Sequence, residues 1–124
     1  MASDTVALVT SYLADETKLY QDWFQTMNAQ NEQDIVEFAE FPSLESLKKR
    51  FEDWFQSQQH LLKQKICQEW GYREKKKTFE DREALIIAIS VDCLVVIFGI
   101  PTTNILTIGT ILVINGYLER LCSP

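Results

Sequence analysis

The chain has 124 residues, of which 46% are apolar and 24% charged, with a net charge of -6 and a pI near 4.7. That length suits one domain over residues 1–124 with its own core, and that composition argues against global disorder. The acidic balance argues against direct nucleic-acid binding, because nonspecific affinity for a phosphate backbone comes mainly from Lys and Arg; the one basic cluster lies between Arg73 and Lys77.

The charge is unevenly spread. Residues 1–60 carry eleven acids and four bases, residues 61–83 seven bases and five acids, and residues 84–124 only Asp92, Glu119 and Arg120. The hydrophobic spacing predicts an all-α fold, bundle-like with four helices: two amphipathic, aromatic-rich helices and a C-terminal apolar helical hairpin.

In chain order, Asp4 is a suitable cap for a first helix over 5–27, whose residues Val6, Val9, Leu13, Tyr20, Trp23, Phe24 and Met27 recur at threes and fours. The polar stretch 28–33 reads as a loop. A short helix over 35–41 ends before Pro42, since proline disfavours helix in the residue ahead of it. Ser43 caps a second long helix over 43–70, with Leu47, Phe51, Trp54, Phe55, Leu62 and Ile66 on one stripe and Gly71 as its stop.

The segment from Tyr20 to Thr26 resembles that from Phe51 to Ser57. Each places three rings at i, i+3 and i+4, with Trp23 and Phe24 in the first and Trp54 and Phe55 in the second. Two readings are open: a pair of docking surfaces for a partner, or two aromatic layers contributed to one core.

Thr78 and Asp81 have the form of a capping box, which starts a third helix over 79–98. Gly99 and Pro101 end it, and a fourth helix follows over 103–121. The many Val, Ile and Thr residues here also suit buried strands, but the apolar runs are longer than ordinary strands and begin at a helix cap.

Catalytic signatures are lacking. The four glycines are scattered, so neither a phosphate loop nor a dinucleotide fingerprint is present. His60 is the only histidine; with Cys67 it supplies two ligands where a closed zinc site takes four. No carboxylate spacing matches a calcium loop or a bundle metal site, and no nucleophile elbow occurs. The expectation is a non-enzymatic chain with no cofactor, no metal and no small-molecule substrate.

Cys67, Cys93 and Cys122 are odd in number and lack CxxC spacing, which reads as free, buried thiols in a reducing compartment. The segment Met1 to Val9 shows no basic region followed by an apolar run, so cytoplasmic residence is expected, with membrane association as the alternative.

The segment 84–118 carries a single charge, Asp92, and is broken by Gly99-Ile100-Pro101. A helix that is apolar all round is buried on all sides, in protein or in lipid. In protein, the surplus surface would have to meet another copy or a different protein, making this hairpin the contact element of an interaction module, an adaptor or a subunit of a larger assembly. In lipid, it would insert as an anchor or effector, although each arm of about 16 residues is shorter than the roughly 20 that cross the hydrocarbon core.

Asp92 reads either as a group at an interface, partnered by Thr107, Thr110, Asn115 or a lysine, or as an acid on a solvated helix edge. Gly109 and Gly116 read either as sites of close helix approach or as tolerated interior glycines.

Overall fold

The computed structural model describes residues 2–28, 43–99 and 102–123. The short helix expected over 35–41 lies outside them. The fold is all-α, with no strand among the described residues.

The helix expected over 5–27 is two helices, α1 (Ala2–Ala14) and α2 (Glu16–Asn28). Asp15 divides them. Its carboxylate accepts from the Lys18 amide at 3.1 Å, so it caps α2, a role short acidic side chains perform better than they sustain a helix interior. The break lets α1 pack on α5 and α7 while α2 packs on α3 and α7. Tyr12 and Lys18 both donate to Asp22, at 2.9 and 3.1 Å, and hold the corner from its two sides.

Helix α3 (Leu44–Leu62) is capped by Ser43, whose hydroxyl accepts from the Ser46 amide at 3.2 Å. It runs on as a π-helical segment, Lys63–Glu69, closed by the Trp70 amide donating to the Lys65 carbonyl at 2.9 Å. Gly71, at φ +78°, then turns the chain into α4 (Tyr72–Lys75) and a 3-10 turn, Lys76–Thr78. The third predicted helix starts later than its box implied. Asp81 itself caps α5 (Arg82–Ile89), accepting from the Ala84 amide at 2.8 Å, while Thr78 bonds back to the Lys75 carbonyl. A second π segment, Ser90–Leu94, links α5 to α6 (Val95–Phe98), and Gly99 closes it at φ +61°. Such π segments are uncommon and occur mostly as insertions within α-helices.

Helix α7 (Thr102–Ile114) is the centre of the molecule. Every residue from Ile105 to Leu112 is buried, against α1, α2, α5, the second π segment and α8 (Tyr117–Leu121). This is the burial on all sides that a helix without a polar face requires. Of the two buried hydroxyls in this stretch, on Thr107 and Thr110, that of Thr110 donates to the Leu106 carbonyl at 2.7 Å, which offsets its desolvation. Around α7 the main core gathers Leu19, Phe51, Leu62, Ile66, Ile89 and Leu94, each at or near zero exposure.

The cysteine reading is corrected. Cys67, in the first π segment, is bonded to Cys122, just after α8, with Cα atoms 5.3 Å apart; only Cys93 is a free, buried thiol. The fold, rather than any local spacing, brings together two residues 55 positions apart. The reducing-compartment expectation loses its premise for this pair.

Candidate interaction surface

The aromatic positions singled out in the sequence meet one another. Trp23 lies 5.1 Å from Phe51 and 6.3 Å from Trp54, Phe51 lies 5.4 Å from Trp54, and Phe55 sits 4.6 Å from Tyr117. Trp23 and Phe55 are buried; Trp54 is half-buried against Phe98 at 5.5 Å, and the half-buried Phe24 carries the Arg50 guanidinium over its ring at 5.3 Å. Edge-to-face and tilted pairs of this kind add to the stability of a core. The echo between α2 and α3 therefore describes two helices facing each other.

Gly109 lies where α7 approaches the second π segment. A Cβ there would overlap the Ser90 hydroxyl, which is fixed by donating to the Ile86 carbonyl at 2.8 Å. Gly116 acts through its backbone instead. At φ +74° it forms the reversal between α7 and α8, a backbone region that costs other L-residues energy. Next to it, the Asn115 amide donates to the Tyr20 hydroxyl at 2.7 Å and ties this corner to α2.

Asp92 is exposed, on the outer side of the π segment, and accepts from Trp70 Nε1 at 3.0 Å. Two of the partners considered for it bond elsewhere, Thr110 to the Leu106 carbonyl and Asn115 to the Tyr20 hydroxyl. Trp70 in turn stacks on Phe79 at 6.3 Å and carries Lys75 Nζ at 4.9 Å over its ring. Behind Asp92, burial and then the neighbouring carboxylate push the Cys93 thiol up to about 12, which keeps it protonated and a poor nucleophile at neutral pH.

The surface feature that sequence reasoning missed is the outer face of α5, the π segment and α6. Val91, Val95 and Val96 are 59%, 43% and 63% exposed. The same helix buries Leu85, Ile86, Ile89, Cys93 and Leu94 on its inner side. On one flank lies a groove of about 190 Å³ lined by Val6, Ile87, Val91, Val95 and Leu106, with only the hydroxyls of Thr5 and Ser90 as polar side chains. On the other flank, a groove of about 310 Å³ is lined by Leu61, Val96 and Ile97 with Gln64, Lys65 and Glu69. Asp92 itself was the available signal, since a charged residue among apolar ones marks the side of a helix that meets water.

The larger cleft, about 520 Å³, lies between α4 and α8 and includes Tyr72, Lys76, Glu119 and Cys122. Glu119 accepts from Lys76 Nζ at 2.7 Å and from the Tyr72 hydroxyl at 2.8 Å, and these two bonds hold its carboxyl below the usual carboxylate range. Among the described residues no group of three or more His, Cys, Asp or Glu side chains is placed to hold a metal ion. No helix among them is long and apolar enough to cross a membrane.

Comparison with protein-family models, with curated proteins and with solved structures finds no match.

Proposed function

We propose that this chain is a non-enzymatic protein–protein interaction module, an adaptor or a subunit of a larger assembly, whose contact element is the first arm of the apolar hairpin. The observation that carries this reading is the valine face: three neighbouring valines stand in water on a helix whose opposite side is core. Isolated exposed apolar residues are ordinary, but a contiguous set flanked by two grooves is characteristic of a surface that is covered when at work. The second arm, α7, is buried from Ile105 to Leu112 and reaches that surface only at the floor of one groove, through Ile105 and Leu106. Burial of that arm in protein favours a protein partner over a bilayer as the cover of the hairpin.

Affinity-tagged wild-type chain and the variants Val95→Glu and Val96→Glu test this by quantitative copurification at equal recovery of folded bait. A partner, whether a second copy or another protein, should accompany the wild type and drop at least tenfold with either variant. Identical recovery of every partner by all three baits would sink the reading.

A further inference from the structure

We propose that the cleft between α4 and α8 takes a small anionic thiol, which exchanges with the Cys67–Cys122 disulfide at Cys122. Three observations carry this. The first is placement. The lining of the cleft includes Cys122 but not Cys67. Cys122 is 6% exposed and reaches the surface at this cleft. The cleft's volume of about 520 Å³ falls within the roughly 300–1,000 Å³ of small-molecule sites.

The second is charge. In a chain of net charge -6, this lining carries Arg73, Lys76 and Lys77 against Glu74 and Glu119. Lys76 is committed to Glu119 at 2.7 Å. Arg73 is exposed and enters no ion pair among the described residues, although its field helps to hold the Glu119 carboxyl down. Lys77 Nζ stands 3.8 Å from a Glu74 oxygen in a pair that is exposed on both sides, and such pairs contribute little and give way readily. Arg73 and Lys77 are therefore available to the carboxylates of a ligand.

The third is chemistry. The thiolate is the attacking species in disulfide exchange, and cations beside the attacked sulfur raise its local concentration. Exposure alone favours attack at the half-buried Cys67, but Lys65, two residues before it, is paired with Glu69 at 2.8 Å. The open cations lie with Cys122. The incoming sulfur bonds to Cys122 Sγ while the Cys67–Cys122 bond breaks; its electron pair leaves on Cys67 Sγ, which takes a proton from water. A second thiolate then attacks the sulfur of the bound thiol and releases Cys122. One protein disulfide is thereby reduced and two small thiols are oxidised to their own disulfide.

Glutathione, a thiol with two carboxylates, is the probe, with neutral 2-mercaptoethanol and cationic cysteamine as references. Opening of the bond in the folded full chain is followed at low salt by alkylation and intact mass, and the rates are compared per thiolate. The acidity of the whole chain would rank cysteamine first and glutathione last. With the cleft at work glutathione should instead be fastest, an advantage that about 1 M salt should remove. Arg73→Glu should slow glutathione about fivefold or more relative to 2-mercaptoethanol, with unchanged helical circular dichroism, and Arg73→Lys should keep the wild-type ranking. Iodoacetamide added partway, followed by peptide mapping, should find glutathione on Cys122 and the alkyl group on Cys67. Glutathione slowest of the three, an unaltered glutathione rate in Arg73→Glu, or glutathione found on Cys67 overturns the proposal.

Discussion

Ser90 and Gly109 touch across the contact between α7 and the second π segment, and no methyl group fits between them. The Ser90 hydroxyl cannot swing aside freely, because it is held by the Ile86 carbonyl one turn back. Gly109→Ala therefore sets two effects against each other. The substitution gains about 1 kcal/mol of helix propensity and loses about 1–3 kcal/mol to overpacking.

The net expectation is destabilisation by about 1 kcal/mol, measured by urea unfolding. In a Ser90→Ala background the sign should reverse, since the next atoms a Cβ would meet, the Ile86 carbonyl oxygen and Leu94 Cδ1, stand at an ordinary 3.5 Å. Equal effects in the two backgrounds would mean the helices do not approach at this point.

The Cys67–Cys122 bond ties the π segment that follows α3 to the end of α8 and encloses everything between. For a separation of 55 residues, loop-closure entropy alone corresponds to about 4 kcal/mol. Cys67→Ser and Cys122→Ser should each lower the midpoint of unfolding, and dithiothreitol should lower that of the wild type to match. Non-reducing electrophoresis should show a faster band that reduction retards. A melting curve indifferent to reductant would contradict the bond.

Glu119 links stability to pH. Its carboxyl is held down, first by the hydrogen bond from Lys76 and then by that from Tyr72, so the folded state binds its proton less readily than the unfolded chain does. The contribution is present above the unfolded value of about 4.3 and is lost as pH falls through the lower folded value. The side chain of Glu119 is 58% exposed, so solvent screening limits the effect to about 0.5 kcal/mol. Glu119→Gln should flatten that part of the stability profile between pH 5 and pH 3, by about that amount and no more.

Asp92 sits at a solvated edge, so Asp92→Ala removes one hydrogen bond and leaves no buried charge behind. Stability should fall by only about 0.5–1 kcal/mol. The indole of Trp70 loses its acceptor, which tryptophan fluorescence should report as a spectral shift. A loss of several kcal/mol would place Asp92 in the core instead.

Much of the fold was legible because helix ends are written locally. Ser43, Gly71 and Gly99 cap or stop helices where their side chains or their tolerance of positive φ suggested. Asp15 was harder to read: it lies in a gap of the apolar stripe between Leu13 and Tyr20, and whether it caps a new helix depends on where α1 must go to reach α5 and α7. The π segments leave no trace in spacing. Pairing of Cys67 with Cys122 depends on the whole chain between them. The candidate surface was half legible. The surplus of apolar surface on the hairpin is visible in its composition, but treating both arms alike hides the difference between α7, enclosed by five neighbouring segments, and α5–α6, which leaves Val91, Val95 and Val96 in water.

What lies against the valine face can be read by site-specific photo-crosslinking in the producing cell. A benzophenone-bearing residue in place of Val96 captures the occupant, and the same residue in place of the exposed Gln56 on α3 serves as the control. A covered valine face gives a discrete adduct from position 96 that is lacking from position 56, of twice the chain mass when the occupant is a second copy. No adduct from position 96 beyond that of the control would contradict the interaction reading.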